Sequence, residues 1–237
     1  MGNCGENTAK KLGISREEQD AYGTESYRRS ASAYASNAIQ PELFEVSVPQ
    51  KRGKAPPLIV SEDEEYKKIN FEKFSKLPTV FQKEGGTVTA GNASTLSDGA
   101  AAVVLMSADE AKARGCKPLA RIVGYADGAT DPVDFPIAPR FANDKLLKLT
   151  GMNAEDVDLW EINEAFSVVV LANMKLHGLD YSKVNIHGGA VSLGHPLGAS
   201  GARIVIHLAH ILQPGQRGVA SICNGGGGAS ALMLEKL

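Results

Sequence analysis

Three short motifs in the C-terminal part of the sequence combine chemically active side chains with glycine. They are NEAF at 163–166, GGAVSLGHPLGASG at 188–201 and CNGGGG at 223–228. Glycine permits positive φ angles and lets a ligand approach the backbone closely. Because the glycines lie in an otherwise apolar region, their clustering is more typical of a site than of a linker.

Asn163 and His195 are the polar side chains of the first two motifs. At a helix start the Asn163 amide could orient a water molecule or a carbonyl group, or it could be a simple N-cap with Glu164 complementing the helix dipole. His195 lies between glycine and proline near another expected helix start. Histidine titrates near neutral pH, so His195 is a candidate general acid or base. The alternative is a turn histidine bonded to backbone.

Cys223 ends an expected strand at the four-glycine turn. A thiol there is a candidate reactive group, and successive free N–H groups of the turn could form an oxyanion hole. One alternative is a flexible hairpin with an inert buried cysteine. A phosphate loop is a weaker alternative, since no GK[ST] sequence follows.

A lysine cluster in the first third of the chain is a candidate anion site. Lys67, Lys68, Lys73 and Lys76 alternate with Ile69, Phe71 and Phe74. A phosphorylated, partly apolar ligand would suit this composition, while the alternative is a solvated charged face.

The elements that must position these motifs alternate between helix and strand after about residue 116. Ser15 with two following glutamates predicts a helix N-terminus, and the alternation of 43–48 predicts a half-buried strand. Residues 51–57 predict a turn, and 87–106 begins strand-like and ends in an apolar run. Further helices are expected at 108–115, 141–150, 163–177 and 201–212, and strands at 119–125, 157–161, 184–186, 219–223 and 229–234. This alternation indicates a layered α/β fold with both sheet faces covered.

The composition of the sequence argues against several classes of protein. The 237 residues are 43% hydrophobic and carry a formal charge of −2, which argues against a general nucleic-acid binder. No apolar run is long enough to span a membrane. Three widely spaced cysteines argue against a disulfide framework, so we expect a soluble protein of a reducing compartment.

The three motifs, in this order and spacing, closely resemble the C-terminal half of the thiolase family. The segments ENTAKKLGISREEQDAY, FQKEGGTVTAGNASTLSDGAAAVVL and PLARIVGYAD resemble the family as well, so the resemblance covers residues 1–237. It implies an α/β, layered α-β-α fold with the N-terminal core domain largely missing. The implied parts are a remainder of the loop domain at 1–83, the end of the N-terminal domain at 84–115, and the C-terminal domain at 116–237.

The resemblance also implies an acyltransferase and assigns roles to the candidate residues. Thiolases reversibly condense acetyl-CoA and cleave acetoacetyl-CoA. Cys223 would be the acid/base for the α-proton, with a thiol pKa lowered by the turn and by His195. His195 would activate a nucleophilic thiol and donate into an oxyanion hole, Asn163 would hold the water of that hole, and the Gly225 N–H would stabilise the second tetrahedral intermediate.

Coenzyme A and a potassium ion are the ligands implied by the resemblance. The coenzyme A contacts would be Lys68, Ile69, Asn70, Lys73 and Ser94. The potassium site would use Tyr27 with the carbonyl groups of Ala90, Gly91, Ala93 and Val191. A homotetramer and a mitochondrial location are implied as well, although the sequence itself has no transit-peptide pattern.

The nucleophilic cysteine of the family has no counterpart among these residues. Cys4 lies in MGNCGENTAKK, which matches the family well after the nucleophile, and Met1 falls at a His-Met pair whose histidine is missing. We therefore expect little or no turnover from the 237 residues alone. The alternative to an acyltransferase is a non-catalytic short thiolase isoform that binds coenzyme A or pairs with thiolase subunits.

Overall fold

A computed structural model describes residues 1–50 and 56–237 of the chain. The helices are α1 (Gly2–Leu12), α2 (Arg16–Ala35), α3 (Phe71–Phe74), α4 (Ala108–Ala113), α5 (Ala138–Thr150), α6 (Ser167–His177), α7 (Ala190–Leu193) and α8 (Ser200–Ile211). The strands are β1 (Val46–Val48), β2 (Leu58–Val60), β3 (Ala120–Ala129), β4 (Leu159–Ile162), β5 (Arg217–Cys223) and β6 (Gly228–Lys236). Short 3₁₀ turns at Gln40–Glu42, Glu65–Lys67, Pro132–Ile137, Ala154–Asp156 and Tyr181–Lys183 connect them.

The main sheet has four strands in the order β3-β6-β5-β4. β4 and β5 are parallel, and Ile162 pairs with Ser221 at their common end. β5 and β6 are antiparallel, and Cys223 pairs with Ala229 across the glycine turn. β1 and β2 form a separate antiparallel pair. The carboxyl ends of β4 and β5 therefore bring the NEAF and CNGGGG motifs to one edge of the sheet.

The two faces of the sheet pack against different helices. Val219 and Met233 belong to the core cluster that contains Leu146 of α5. Their chain neighbours belong to the cluster of α8 around Leu208. Successive side chains of a strand point to opposite faces, so this alternation places α5 on one face and α8 on the other. The expectation of a layered α/β fold is confirmed.

Helix α2 begins where the sequence predicts. The Ser15 hydroxyl accepts the N–H of Glu18 at 3.1 Å, and the Glu18 carboxylate accepts the N–H of Ser15 at 2.6 Å. This reciprocal capping box satisfies N–H groups that a helix start otherwise leaves unpaired. α2 packs against α6 and α7, so it lies directly behind the candidate motifs.

Some sequence-based expectations about the elements are wrong. α6 begins at Ser167, four residues after Asn163, because the chain first makes a tight turn in which the Ala165 N–H donates to the Asn163 carbonyl at 3.1 Å, and Phe166 is extended. Val184 makes only an isolated bridge to Trp160. The strand expected at 43–48 is short, and its residues 46–48 are exposed rather than half-buried. The turn expected at 51–57 lies largely outside the described residues.

The segment 87–106 differs most from its expected form. All of its residues are described, and none belongs to a strand. Isolated bridges instead join Ala93 to Phe166 and Leu96 to His195. The apolar run ends exposed, with Val104 84% accessible.

In the described parts of the chain, no helix combines the length and apolarity needed to cross a bilayer.

Candidate active site

One cavity of about 630 Å³ gathers three of the four candidate catalytic residues. His195, Cys223 and Gly225 line it, together with Gly198 and Gly201 at the N-terminus of α8. Asn163 is not part of the lining, but its amide nitrogen lies 3.5 Å from His195 Nε2. We call this space the catalytic cavity. The three motifs, up to 65 residues apart in the sequence, therefore meet at one place.

The glycine turn of the catalytic cavity is held by Asn224. The Asn224 side-chain oxygen accepts the N–H groups of Gly226 at 2.9 Å and Gly228 at 3.1 Å. Gly225 has a φ of 79°, which a side chain would strain. Two of the turn N–H groups that the sequence suggested for an oxyanion hole are therefore already paired. The Gly225 N–H instead reaches the Cys223 sulfur.

The thiol of Cys223 is a neutral group in this environment. Burial raises its pKa to about 11, although the backbone N–H groups of Cys223 and Gly225 act in the opposite direction. No hydrogen bond joins Cys223 to His195 in the described chain. The expected lowering of this pKa is therefore wrong, because a thiolate here would lose water without gaining a cation.

His195 is fixed by three contacts. Its backbone N–H donates to the Thr95 carbonyl at 2.7 Å, Nδ1 lies 2.6 Å from Ser200 Oγ, and Nε2 faces Asn163. Burial, with a smaller effect from the charge of Arg203, lowers the pKa of the imidazole. The ring is therefore neutral at physiological pH, so it can accept a proton.

Asn163 is held by backbone pairing and is not a helix cap. Its N–H donates to the Ser221 carbonyl at 2.9 Å, which continues the β4–β5 pairing by one residue. Its side-chain oxygen is buried and, within the described chain, has no hydrogen-bond partner. A buried acceptor without a partner is costly in free energy. The amide therefore fits a role in holding a water molecule or a substrate oxygen.

Glu164 joins the parts of the site, a role that the sequence did not indicate. The buried carboxylate accepts hydrogen bonds from Tyr22 at 2.7 Å, Ser26 at 2.8 Å, Asn185 at 3.1 Å and the Val191 N–H at 3.0 Å. These donors come from α2, the loop before α7, and α7 itself. Glu164 thus ties NEAF to the segment that carries His195, rather than complementing a helix dipole.

The expected coenzyme A contacts lie on exposed chain connected to the catalytic cavity. Lys68 pairs with Glu65 at 3.1 Å, and Glu65 accepts a hydrogen bond from Thr95 at 3.3 Å. Thr95 is the residue that holds the His195 backbone. Of the remaining members, the Asn70 side chain caps α3, and the Ser94 hydroxyl donates to the Ala165 carbonyl at 2.8 Å. Ile69 is a half-buried neighbour of the α3 cluster, and Lys73 forms the last turn of α3.

The lysine cluster is partly neutralised by its own segment. Lys67 forms an ion pair with Glu62, and Lys68 is also 3.6 Å from Glu64. Exposed pairs of this kind are weak, so an anionic ligand could displace them at little cost. The cluster therefore agrees with both alternatives raised from the sequence, an anion site and a solvated face.

The expected potassium ligands lie around one buried aromatic ring. Tyr27 and Val191 form a cluster with Phe74. A Cβ atom added at Gly23, one turn before Tyr27, would lie 3.4 Å from the Gly91 carbonyl oxygen. Burial raises the pKa of Tyr27 to about 12, so it offers a neutral hydroxyl. Ala90 and Ala93 flank Gly91. Neutral oxygens of this kind suit a hard monovalent cation better than the carboxylate and histidine clusters of transition-metal sites.

A second polar pocket lies along the middle of α8. Its volume is about 30 Å³, and Glu42, Glu161, His187, Arg203 and His207 line it. His207 Nδ1 lies 2.9 Å from Glu42, and His207 Nε2 lies 3.2 Å from His187 Nδ1. We call it the charged pocket. The sequence did not indicate it, because Glu42 and His207 are separated by 165 residues.

A layered α/β chain that gathers a histidine, a thiol and an amide at one cavity is suited to acid/base chemistry. Comparison of sequences identifies the group to which it belongs. The sequence model of the thiolase C-terminal domain matches residues 116–236, and that of the thiolase N-terminal domain matches residues 1–109. The chain belongs to the thiolase family.

Individual relatives agree with this assignment. Over all 237 residues the chain is 63% identical to the mitochondrial acetyl-CoA acetyltransferase of Xenopus tropicalis and 60% identical to that of Homo sapiens. It covers 56% and 55% of those proteins, so it spans about half the length of these relatives. The crystal structure of the Acat5 thiolase from Ascaris suum in complex with coenzyme A matches the whole chain and 60% of its own, with a TM-score of 0.94 and 48% identity.

Proposed function

We propose that the full-length natural protein containing this sequence is an acetyl-CoA acetyltransferase that reversibly interconverts two acetyl-CoA molecules and acetoacetyl-CoA. The observation that carries the proposal is the catalytic cavity, where His195, Cys223 and Gly225 meet and Asn163 contacts the histidine. The identity of 60–63% to acetyl-CoA acetyltransferases supports the same activity.

In the cleavage direction, a nucleophilic thiol attacks the 3-keto carbon of acetoacetyl-CoA. His195 Nε2 accepts the proton of that thiol as the carbon–sulfur bond forms. None of the three cysteines here matches the family's nucleophile, so we assign the activity to the full-length protein. The low pKa of buried His195 suits this role, because the ring is unprotonated at neutral pH.

Cleavage of the carbon–carbon bond then leaves its electron pair on the α-carbon of acetyl-CoA. Cys223 gives its thiol proton to this carbon, so acetyl-CoA leaves and a thiolate remains. This thiolate takes the proton of coenzyme A, whose sulfur then accepts the acetyl group from the nucleophilic thiol, and His195 returns the proton to that thiol. The raised pKa of Cys223 means that the resting group carries the proton that the α-carbon receives. In the condensation direction the same sulfur must first be a thiolate, and it removes the α-proton of acetyl-CoA.

Each step places negative charge on a thioester or ketone oxygen. The Asn163 amide, through a bound water, and the Gly225 N–H are the donors we assign to these oxygens. A donor of this kind contributes about 3–4 kcal/mol to transition-state stabilisation. The Gly225 N–H contacts the Cys223 sulfur in the resting site, so the thiolate formed in the cleavage direction would compete for it.

Coenzyme A is the substrate carrier that we assign to Lys68, Ile69, Asn70, Lys73 and Ser94, and the Ascaris suum complex supports it. Tyr27 with the carbonyl groups of Ala90, Gly91, Ala93 and Val191 would hold a potassium ion, whose charge would pin α2, α7 and the 90–93 loop together. We also propose a mitochondrial homotetramer, and a division into parts at 1–83, 84–115 and 116–237.

The test is thiolysis of acetoacetyl-CoA by the full-length natural protein. Cys223→Ser should lower kcat by about 10³-fold, since a serine hydroxyl is a far weaker acid than a thiol. Cys116→Ser is the matched control, because Cys116 is exposed and should leave kcat unchanged. Absence of thiolysis in the unmodified protein, or an unaffected Cys223→Ser variant, would contradict the proposal.

A further inference from the structure

A neutral histidine can work as a base at the catalytic cavity only in one of its two tautomers. Proton acceptance at Nε2 requires that the ring hydrogen sit on Nδ1. A buried imidazole free to choose would divide its population between the tautomers. The hydrogen-bond partner of Nδ1 therefore determines what fraction of His195 is in the tautomer that can accept a proton at Nε2.

The hydrogen-bond partners of Ser200 determine which tautomer is favoured. Ser200 Oγ lies 2.6 Å from His195 Nδ1 and donates to the Pro196 carbonyl at 3.1 Å. A serine hydroxyl has a single hydrogen, and a carbonyl oxygen can only accept. If the hydrogen is directed to Pro196, Ser200 Oγ accepts at the short contact and Nδ1 is the donor; if it is directed to the ring, Nδ1 accepts.

The contact on the other side of the ring selects between these two arrangements. Asn163 Nδ2 is 3.5 Å from His195 Nε2, and an amide NH₂ group can only donate. Nε2 must then carry a lone pair. The length of this contact means that it holds the lone pair weakly, which leaves it available to a proton from the cavity.

We propose that Ser200 is a positioning residue that fixes His195 as the Nδ1–H tautomer and directs the Nε2 lone pair to the reacting thiol. The inference rests on the proposed function for its catalytic consequence, but not for the tautomer itself. Ser200 is fully buried and is the first residue of α8. Its N–H also donates to the Pro196 carbonyl at 2.9 Å, so the turn and the helix start fix the hydroxyl together.

The experiment compares Ser200→Ala, Ser200→Thr and Ser221→Ala in the full-length natural protein. Ser221 is a matched control, since it is equally buried and its hydroxyl has no hydrogen-bond partner in the described chain. In a hydrolase triad, the acidic residue assists the histidine by holding it in the correct tautomer. Serine is neutral and should have a smaller effect, so we expect kcat of Ser200→Ala to fall by about 10- to 100-fold. KM for acetoacetyl-CoA should stay within about twofold.

Ser200→Thr keeps the hydroxyl and should recover most of the kcat. In Ser200→Ala the acid limb of the kcat pH profile, which reports His195, should also move. A change in KM alone, an unchanged kcat, or a Ser200→Thr variant no better than Ser200→Ala would overturn the proposal.

A second measurement does not depend on activity or on the folding of a variant. Imidazole ¹⁵N chemical shifts of histidine-labelled full-length protein distinguish the tautomers, and His195→Asn assigns the resonances. We expect the Nδ1–H form for His195, and an Nε2–H form would overturn the proposal even if thiolysis is normal. Conversely, an Nδ1–H form in a protein without thiolysis would leave the tautomer correct and the proposed function wrong.

Discussion

The catalytic cavity and the charged pocket lie against the same helix, yet they shift the pKa of a buried histidine in opposite directions. His195 lies five residues before the start of α8 and borders a space of about 630 Å³, whereas His207 lies within α8 and borders a space of about 30 Å³. Both histidines are 7% exposed. Burial lowers the pKa of His195. It also opposes the charge of His207, but the hydrogen bond to Glu42 and the charge of Glu161 outweigh it and raise that pKa.

Burial alone therefore does not decide the charge of a histidine in this fold. His195 has a serine hydroxyl and an asparagine amide as partners, and neither carries a negative charge that would balance a positive ring. His207 Nδ1 contacts the Glu42 carboxylate, which would lose its charged hydrogen-bond partner if the ring were neutral. The first environment favours proton transfer, and the second favours a fixed charge that joins the 40–42 turn to α8.

The largest difference should appear in catalysis. His195→Asn in the full-length natural protein should lower kcat for acetoacetyl-CoA thiolysis by about 10³- to 10⁴-fold, because it removes the proton acceptor. His207→Asn should change kcat less than about threefold, since within residues 1–50 and 56–237 His207 makes no hydrogen bond to a residue that lines the catalytic cavity. Steady-state assays of the two variants at equal concentration of folded protein make the comparison. Equal losses in both variants would mean that the pockets are not separate.

Stability should show the reverse order. His207→Ala should lower the free energy of unfolding by about 3 kcal/mol, since removing one partner of a buried charged pair leaves Glu42 uncompensated. His210→Ala is the control on the same helix, because the half-buried His210 has no side-chain hydrogen bond in the described chain, and it should cost less than about 1 kcal/mol. Urea unfolding followed by circular dichroism measures both, and similar values would refute a stabilising role for the charged pocket.

The sequence predicted residues of the catalytic cavity but not the charged pocket, and the reason for this difference is physical. The catalytic cavity is built from motifs whose residue types and glycine spacing are local, so His195, Cys223 and Gly225 could be selected before any fold was known. The strand predicted at 219–223, the helix predicted at 201–212 and the Ser15 cap also follow local rules, and the structure confirms them with ends shifted by at most two residues.

Long-range pairing is what the sequence could not indicate. The raised pKa of Cys223 depends on how deeply β5 is covered, and Glu164 acquires its donors from α2, more than 130 residues earlier. Ser200 was visible as a small polar residue at a predicted helix start. Nothing in the local sequence distinguished Ser200 from a helix cap, because its contact with His195 Nδ1 depends on the turn that places His195 next to the helix.

The alkylation rates of Cys223 and Cys116 test whether the catalytic cavity keeps the Cys223 thiol neutral. At pH 7.5 we expect Cys223 to react with iodoacetamide about 100-fold more slowly than exposed Cys116, since only the thiolate reacts and burial raises the pKa of Cys223 to about 11. Peptide mapping by mass spectrometry resolves the two sites. The Cys223 rate should rise about tenfold per pH unit towards pH 11. A plateau below pH 8 would show a stabilised thiolate and would restore the expectation made from the sequence.

The smallest effect concerns Glu161 in the charged pocket. Burial raises its pKa to about 8, with the charges of Glu164 and Glu42 adding to this and those of His207 and Arg203 opposing it. One oxygen of the carboxyl group has no hydrogen-bond partner in the described chain. Between its ordinary pKa, near 4.5, and pH 8 the folded state therefore binds more protons than the unfolded state, and stability must fall as pH rises.

Glu161→Gln removes this titration while keeping the shape of the side chain. The loss of unfolding free energy between pH 6 and pH 8.5 should become smaller by about 2.5 kcal/mol, since each pH unit below the raised pKa corresponds to about 1.4 kcal/mol. Glu155→Gln is the control, because Glu155 is exposed on the turn before β4. If the pH dependence is unchanged in Glu161→Gln, Glu161 is ionised throughout, and the charged pocket holds two carboxylates against His207 and Arg203.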